Sequence, residues 1–316
     1  MGFNRVHPIK PPNKTMHKKY LSNPSSTGGA GFNFETRVQA SFVTLMLSGG
    51  FVPSMPPWPI RKIKLQGKYA GYDTDDAIVF VQSRDGKRER KLLCQIKHSI
   101  GLNKTSRHFR EVILAAWVDY NNTKVFTAGR DSIALITGPL SAADISDVRT
   151  ILEWARNSDS ASDFLTKVNL LRFSSKSKIR KLNAFRTHLD NANKRSGVSD
   201  EEMWQFMRNF HILGYDLDIK AGVTLSLLHS LIGQYSPENI QGLWTQIVDE
   251  VQLANQNAGT ITLESIPEEL RNVFQKPRVE TVPTDLGIKP STTGAVNLIS
   301  MKLVIANLLG GWNENV

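Results

Sequence analysis

At 316 residues, 40% hydrophobic and 22% charged, the chain has the composition of a soluble globular protein and can bury one large core or two smaller ones. No apolar run reaches the roughly 18–20 residues of a membrane span, and the basic, Pro-rich start MGFNRVHPIKPPNK lacks the apolar core of a secretory signal. Cys94 is the only cysteine, which excludes internal disulfides and cysteine-rich zinc sites; a cytoplasmic address is expected.

Residues 1–29 read as a basic flexible arm, because Pro8, Pro11, Pro12 and the SNPSSTGGAG stretch oppose regular structure. Glu35 to Leu47 is predicted helical, with Val38, Phe42, Leu45 and Met46 at helical spacing, and Gly49-Gly50 ends it. Residues 61–69 and 76–82 read as strands. Arg84-Asp-Gly-Lys87 is a hairpin signal, and Leu92 to Ile96 returns. Ser106 to Tyr120 is predicted helical, and Lys124–Phe126 and Ser132–Ile136 are further strands. This gives an α/β core over 30–141. A mostly helical extension follows over 142–275, with Ser199-Asp-Glu-Glu202 as a capping box and helices near 225–231 and 240–253. Residues 276–316 read as a turn-rich linker and the start of a further helical segment. The abrupt finish at Trp312-Asn-Glu-Asn-Val316 is what a portion of a longer protein would show.

The net charge of +10 favours an anionic partner. Cations gather in three runs: Arg5 to Lys19; Arg84, Lys87, Arg88, Arg90 and Lys91; and Arg172 to Arg195. Such runs supply phosphate contacts or merely solvate a surface.

The chemistry concentrates around the hairpin. Asp75 and Asp76 open one apolar strand, and Gln95 and Lys97 lie near the end of the next. Adjacent strand residues face opposite sides, so one aspartate is the principal ligand; Asp76 is favoured, with Asp75 as the alternative. Gln95 and Lys97 share a face, while Cys94 and Ile96 point into the core. Carboxylates plus an amide oxygen are hard donors suited to Mg2+, with Mn2+ as substitute. A lysine beside them can orient or deprotonate water and stabilise developing charge. Glu35 is expected at the opening of the first helix, either as a favourable helix-terminal charge or as a further acid of the site. His98 faces away and reads as a hydrogen-bonding residue. Ser99, Asn103, Lys104, Ser106 and Arg107 could touch phosphates.

Asp76…Gln95-x-Lys97 resembles the PD-(D/E)XK, or restriction-endonuclease-like, superfamily, with Gln where the signature carries Glu or Asp. Gly31-Phe-x-Phe-Glu35, Thr74-Asp-Asp76, Gln95-Ile-Lys-His-Ser99, Phe109…Ala-Ala-Trp117 and Asp131…Leu-Ile-Thr-Gly138 are together similar to the double-stranded DNA endonuclease domain of Cap4-type effectors, which also caps bacterial antiphage STAND ATPases. The resemblance implies a restriction-endonuclease-like mixed sheet flanked by helices. It also implies Glu35, Asp76, Gln95 and Lys97 as first-helix acid, metal-binding Asp, second ligand and catalytic lysine. The function implied is Mg2+-dependent cleavage of double-stranded DNA by an antiphage effector that forms a homo-oligomer when activated, with a STAND ATPase portion beyond this chain. No Gly-x-x-x-x-Gly-Lys-Ser/Thr phosphate loop is present in the sequence itself. The competing expectations are a catalytically weak DNA-binding or oligomerisation module and a scaffold for partner docking.

Overall fold

A computed structural model of the protein describes residues 29–275, apart from Arg195. The segment from 276 and all of the expected arm except Gly29 lie outside the described residues. Helix α1 (Gly29–Ser48) leads into β1 (Ile60–Leu65), a 3-10 turn (Gly67–Ala70), β2 (Ala77–Gln82) and β3 (Glu89–Lys97). Next come α2 (Arg107–Tyr120) and β4 (Ser132–Thr137). The helices α3 (Ala142–Asp144), α4 (Thr150–Arg156), α5 (Ala161–Asn169), α6 (Lys176–Ala192) and α7 (Asp200–Asn209) follow. Then β5 (Phe210–Gly214), α8 (Val223–Gly233), α9 (Ile240–Gln256), β6 (Thr260–Ile261) and α10 (Glu268–Val273) complete the order.

The six strands form one mixed sheet in the order β5-β4-β3-β2-β1-β6. The β3–β4 and β4–β5 pairs are parallel and the remaining pairs antiparallel. A mixed sheet flanked by helices and followed by a largely helical stretch is therefore the architecture, as expected. The 142–275 stretch also contributes β5 and β6, one at each edge of the sheet.

Both faces are covered, which explains why β2 reads as a continuous apolar run rather than an alternation. Ala77, Val79, Val81, Leu92, Cys94 and Ile96 face the layer of α1, α8 and α9. Ile78, Phe80, Leu93, Ile133 and Leu135 face α2, α6 and α7, where Phe109 and Phe185 meet edge-on at 5.1 Å. Helix α1 is buried nearly all round because it lies between the sheet and α8–α9.

Three local readings differ from expectation. Lys124–Phe126 is a turn rather than a strand, and Val125 and Phe126 are apolar because they fill the α2-side core. The strand expected over 61–69 ends at Leu65 and gives way to the 3-10 turn, whereas the expected hairpin forms, closed by the Ser83–Arg88 pair with Gly86 left-handed (φ 71°). Glu35 sits beyond the first turn of α1, which contains no acidic residue, so helix-terminal charge does not account for it.

The loop before β2 is fixed from α2. Asp119, fully buried, accepts from the backbone N–H groups of Asp73 (2.9 Å) and Thr74 (2.6 Å). Replacing Asp119 with Ala strands one buried and one half-buried donor, the buried one costing about 1–3 kcal/mol. We expect Asp119→Ala to lower unfolding free energy by about 2–4 kcal/mol in urea titrations; a loss under about 0.5 kcal/mol would show that water replaces the carboxylate.

Candidate active site

Ala77 pairs with Cys94 in the antiparallel ladder, so Asp76 stands opposite Gln95. Its carboxylate takes the place of a strand carbonyl: Oδ2 accepts the backbone N–H of Ile96 at 2.5 Å. The same oxygen accepts from Gln95 Nε2 at 2.5 Å and lies 3.3 Å from Lys97 Nζ. Asp76, Gln95 and Lys97 are thus brought together at one end of the central strands. The Asp76 side chain is 12% exposed and that of Lys97 34%. Cys94, on the other face, is fully buried, and burial pushes its thiol far above the ordinary value.

Glu35 reaches this end of the sheet from the α1 layer. Its carboxylate accepts from Gln39 Nε2 (3.1 Å) and Gln66 Nε2 (3.0 Å). Gln39 also donates to the Asp76 backbone carbonyl at 2.7 Å, linking Glu35 to the aspartate through one buried amide. Burial, then the negative charge of Asp76, raises the Glu35 pKa from 4.5 to about 7; Lys97 and the two amide donors offset part of this. Asp75 is raised as well, by burial and then by Asp76, and its carbonyl accepts from Gly67 N–H at 2.6 Å. Asp73 pairs with Lys68 in the preceding turn.

No group of three or more His, Cys, Asp or Glu side chains among the described residues is arranged to hold a metal ion. The oxygens at this end of the sheet are the Asp76 carboxylate with the Gln95 amide beside it, the Glu35 carboxylate one amide away, and the neighbouring Asp75 carboxylate. These are hard oxygens; burial, and after it the negative charge of Asp76, raises both Glu35 and Asp75. That chemistry fits a divalent cation which retains several waters.

His98 hydrogen-bonds Asp218 at 2.9 Å, and its ring meets Phe34 edge-on at 5.4 Å. Asp218 also pairs with Arg37 at 3.1 Å, so the histidine ties β3 to α1 and to the turn after β5. Ser106 caps α2 by accepting from Phe109 N–H, and Arg107 pairs with Glu111; Ser99, Asn103 and Lys104 are exposed on the loop leaving β3.

The basic runs divide by position. The run from Arg84 to Lys91 lies toward the opposite end of the hairpin, where six residues of β2 at 3.3 Å each give about 20 Å from Asp76. Lys91 is buried, bonded to the Val125 carbonyl and 3.6 Å from Asp131, and is not a phosphate contact. Arg88 and Arg90 lie over Trp58 at 4.9 and 5.5 Å. In the third run, Lys178, Lys181 and Arg186 pair with Asp147, Asp144 and Asp200, whereas Arg172, Lys176 and Arg180 are exposed.

Sequence reasoning did not find Gln39, Gln66, Asp119 or Asn255. They are polar residues whose role depends on contacts distant in sequence, and none carries a motif.

A raised native pKa means that the neutral carboxyl is favoured in the folded state. That contribution to stability is complete below about 4.5 and lost as pH rises through about 7. In EDTA, wild type should lose up to roughly 3 kcal/mol relative to Glu35→Gln between pH 4.5 and 8, at about 1.4 kcal/mol per pKa unit. Denaturant titrations across that range check this, and a pH-independent difference would contradict the burial of the Glu35 carboxyl.

No protein-family model matches the sequence, and no curated protein matches it. Among solved structures, the chain is similar to the Acinetobacter baumannii Cap4 SAVED/CARF-domain containing receptor, with the cyclic trinucleotide 3'3'3'-cAAA and without it. Each comparison gives 12% identity and a TM-score of 0.42, covers 88% of this chain, and covers 58% and 60% of the respective receptor chains. The same receptor with 2'3'3'-cAAA matches at 12% identity and a TM-score of 0.42, over 87% of this chain and 58% of that one. This chain therefore spans less than two thirds of the receptor's length, and the likeness is weak and partial.

Proposed function

We propose that this chain is a divalent-metal-dependent nuclease that hydrolyses phosphodiester bonds of double-stranded DNA. The observation that carries the reading is the convergence of Gln95, the Ile96 N–H and Lys97 on one Asp76 oxygen, with Glu35 one amide away. A buried ion pair that only fixed a sheet would desolvate both partners. Here the lysine side chain is a third exposed, and its charge acts on two further carboxylates, Glu35 and Asp75, that burial raises.

Asp76, Gln95 and Glu35, with Asp75 as the alternative carboxylate, would hold Mg2+, or Mn2+ in its place. Bound there, the cation supplies neutralising charge for the phosphoryl group and polarises water. Lys97 orients the attacking water and takes up or balances its charge, held in position by Asp76. Gln95 adds an oxygen donor without a further negative charge, which lowers the electrostatic pull on the cation relative to a third carboxylate. Lys104, Arg172, Lys176 and Arg180 are among the exposed cations that would meet the DNA backbone. The setting of an antiphage effector, active as a homo-oligomer and joined to a STAND ATPase portion, rests on the motif resemblance.

The test is cleavage of supercoiled plasmid in Mg2+, Mn2+ and EDTA. Wild type should nick with either cation and not in EDTA. Asp76→Ala and Lys97→Ala should each lose about 100-fold or more in rate while remaining folded, the scale of a lost acid–base group. Salt-sensitive DNA binding without cleavage, even after forced oligomerisation, would move the assignment to a DNA-binding module.

A further inference from the structure

Four side chains close a hydrogen-bond ring behind the site. Gln39 and Gln66 both donate to Glu35 Oε1, at 3.1 and 3.0 Å. Gln66 Nε2 also lies 3.4 Å from Asn255 Oδ1, and Asn255 Nδ2 donates to Gln39 Oε1 at 2.5 Å. The ring fixes which way each amide faces. Because Asn255 donates to the Gln39 oxygen, the Gln39 nitrogen must face the two acceptors that remain, Glu35 Oε1 and the Asp76 carbonyl. Both donors meet the same Glu35 oxygen, so Oε2 accepts no hydrogen bond from any described residue and stays available to a cation or a water.

Gln66 carries the sharpest indication that the ring serves a purpose. Its backbone is left-handed, at φ 50° and ψ 56°, a region where glycine or asparagine is favoured. A glutamine there costs stability, and what it adds is an amide bridging Glu35 and Asn255. The chain just before it is anchored by the Leu65 N–H donating to the Gly259 carbonyl at 3.0 Å, so the loop after α9 and the end of β1 hold the ring from both sides. Gln39 is fully buried and Asn255 nearly so, and a buried amide network of this kind is stable only when each member is satisfied.

We infer that Gln39, Gln66 and Asn255 are positioning residues that hold the Glu35 carboxylate in the orientation needed to support the divalent cation. This rests on the nuclease reading above and extends it to residues that touch neither substrate nor cation. Groups that orient a metal-binding carboxylate are typically worth 10–100-fold in metal affinity or activity.

The experiment uses Gln66→Gly and Asn255→Ala in the full chain, with Gln66→Asn as the conservative change. Three quantities are read: melting temperature, Mn2+ affinity by calorimetry, and kcat and KM for plasmid. Gln66→Gly suits the left-handed backbone, so its melting temperature should stay level or rise, while Mn2+ affinity and kcat fall about 10-fold or more and KM for DNA changes less than about twofold. Asn255→Ala should lower Mn2+ affinity and kcat likewise but also the melting temperature, because it strands the buried Gln39 oxygen, and Gln66→Asn, which keeps a shorter amide on a tolerant backbone, should recover part of the loss. Gln66→Gly with wild-type Mn2+ affinity and kcat would overturn the positioning role and leave the nuclease standing. A wild-type chain that neither binds Mn2+ nor cuts DNA would overturn both.

Discussion

The site depends on a carboxylate that finishes a β-ladder. Where β2 begins, the Ile96 N–H finds no strand carbonyl and bonds Asp76 instead, so the acid is held by the sheet as rigidly as a backbone group. The position of Asp76 follows from strand pairing, and that of Gln95 and Lys97 from the pleat of β3. Asp119 fixes the preceding loop from α2, so two separate elements must pack before the aspartate is placed.

Around that anchor the protein accumulates charge in a partly dry place. Three carboxylates, those of Glu35, Asp75 and Asp76, share this end of the sheet with Lys97, whose side chain is a third exposed. Desolvation and mutual repulsion raise Glu35 and Asp75. Such an arrangement is poor as a stabilising device, because burial and like charge both oppose ionisation there. The amides behind Glu35 reduce the cost without adding charge.

Much of this was legible in the sequence, and the reasons are local. The period-2 relation of Gln95 to Lys97, the helical spacing in α1 and α2, and the Ser199–Glu202 capping box depend only on near neighbours. The acids and the lysine followed from motif spacing. The rest depends on long-range contacts: Asn255 reaches Gln39 across 216 positions, and β5 and β6 join the sheet edges from the stretch expected to be helical. Charge was the least reliable guide. Lys91 belongs to a basic run in sequence yet is buried against Val125 and Asp131, and the hairpin carries that run away from the acids.

The β6 strand is only two residues long, yet it pairs with β1 at Ile63 and Lys64 just after α9 delivers Asn255. During synthesis, then, Glu35, Asp76, Gln95 and Lys97 leave the ribosome long before the last piece of their surroundings has been made. A nascent chain that stops short of Asn255 carries the whole motif without the ring that steadies Glu35. The order of the elements therefore delays full assembly of this end of the sheet until nearly all of the described chain has been translated, a built-in interval in which the Glu35 carboxylate lacks part of its hydrogen-bonded surroundings.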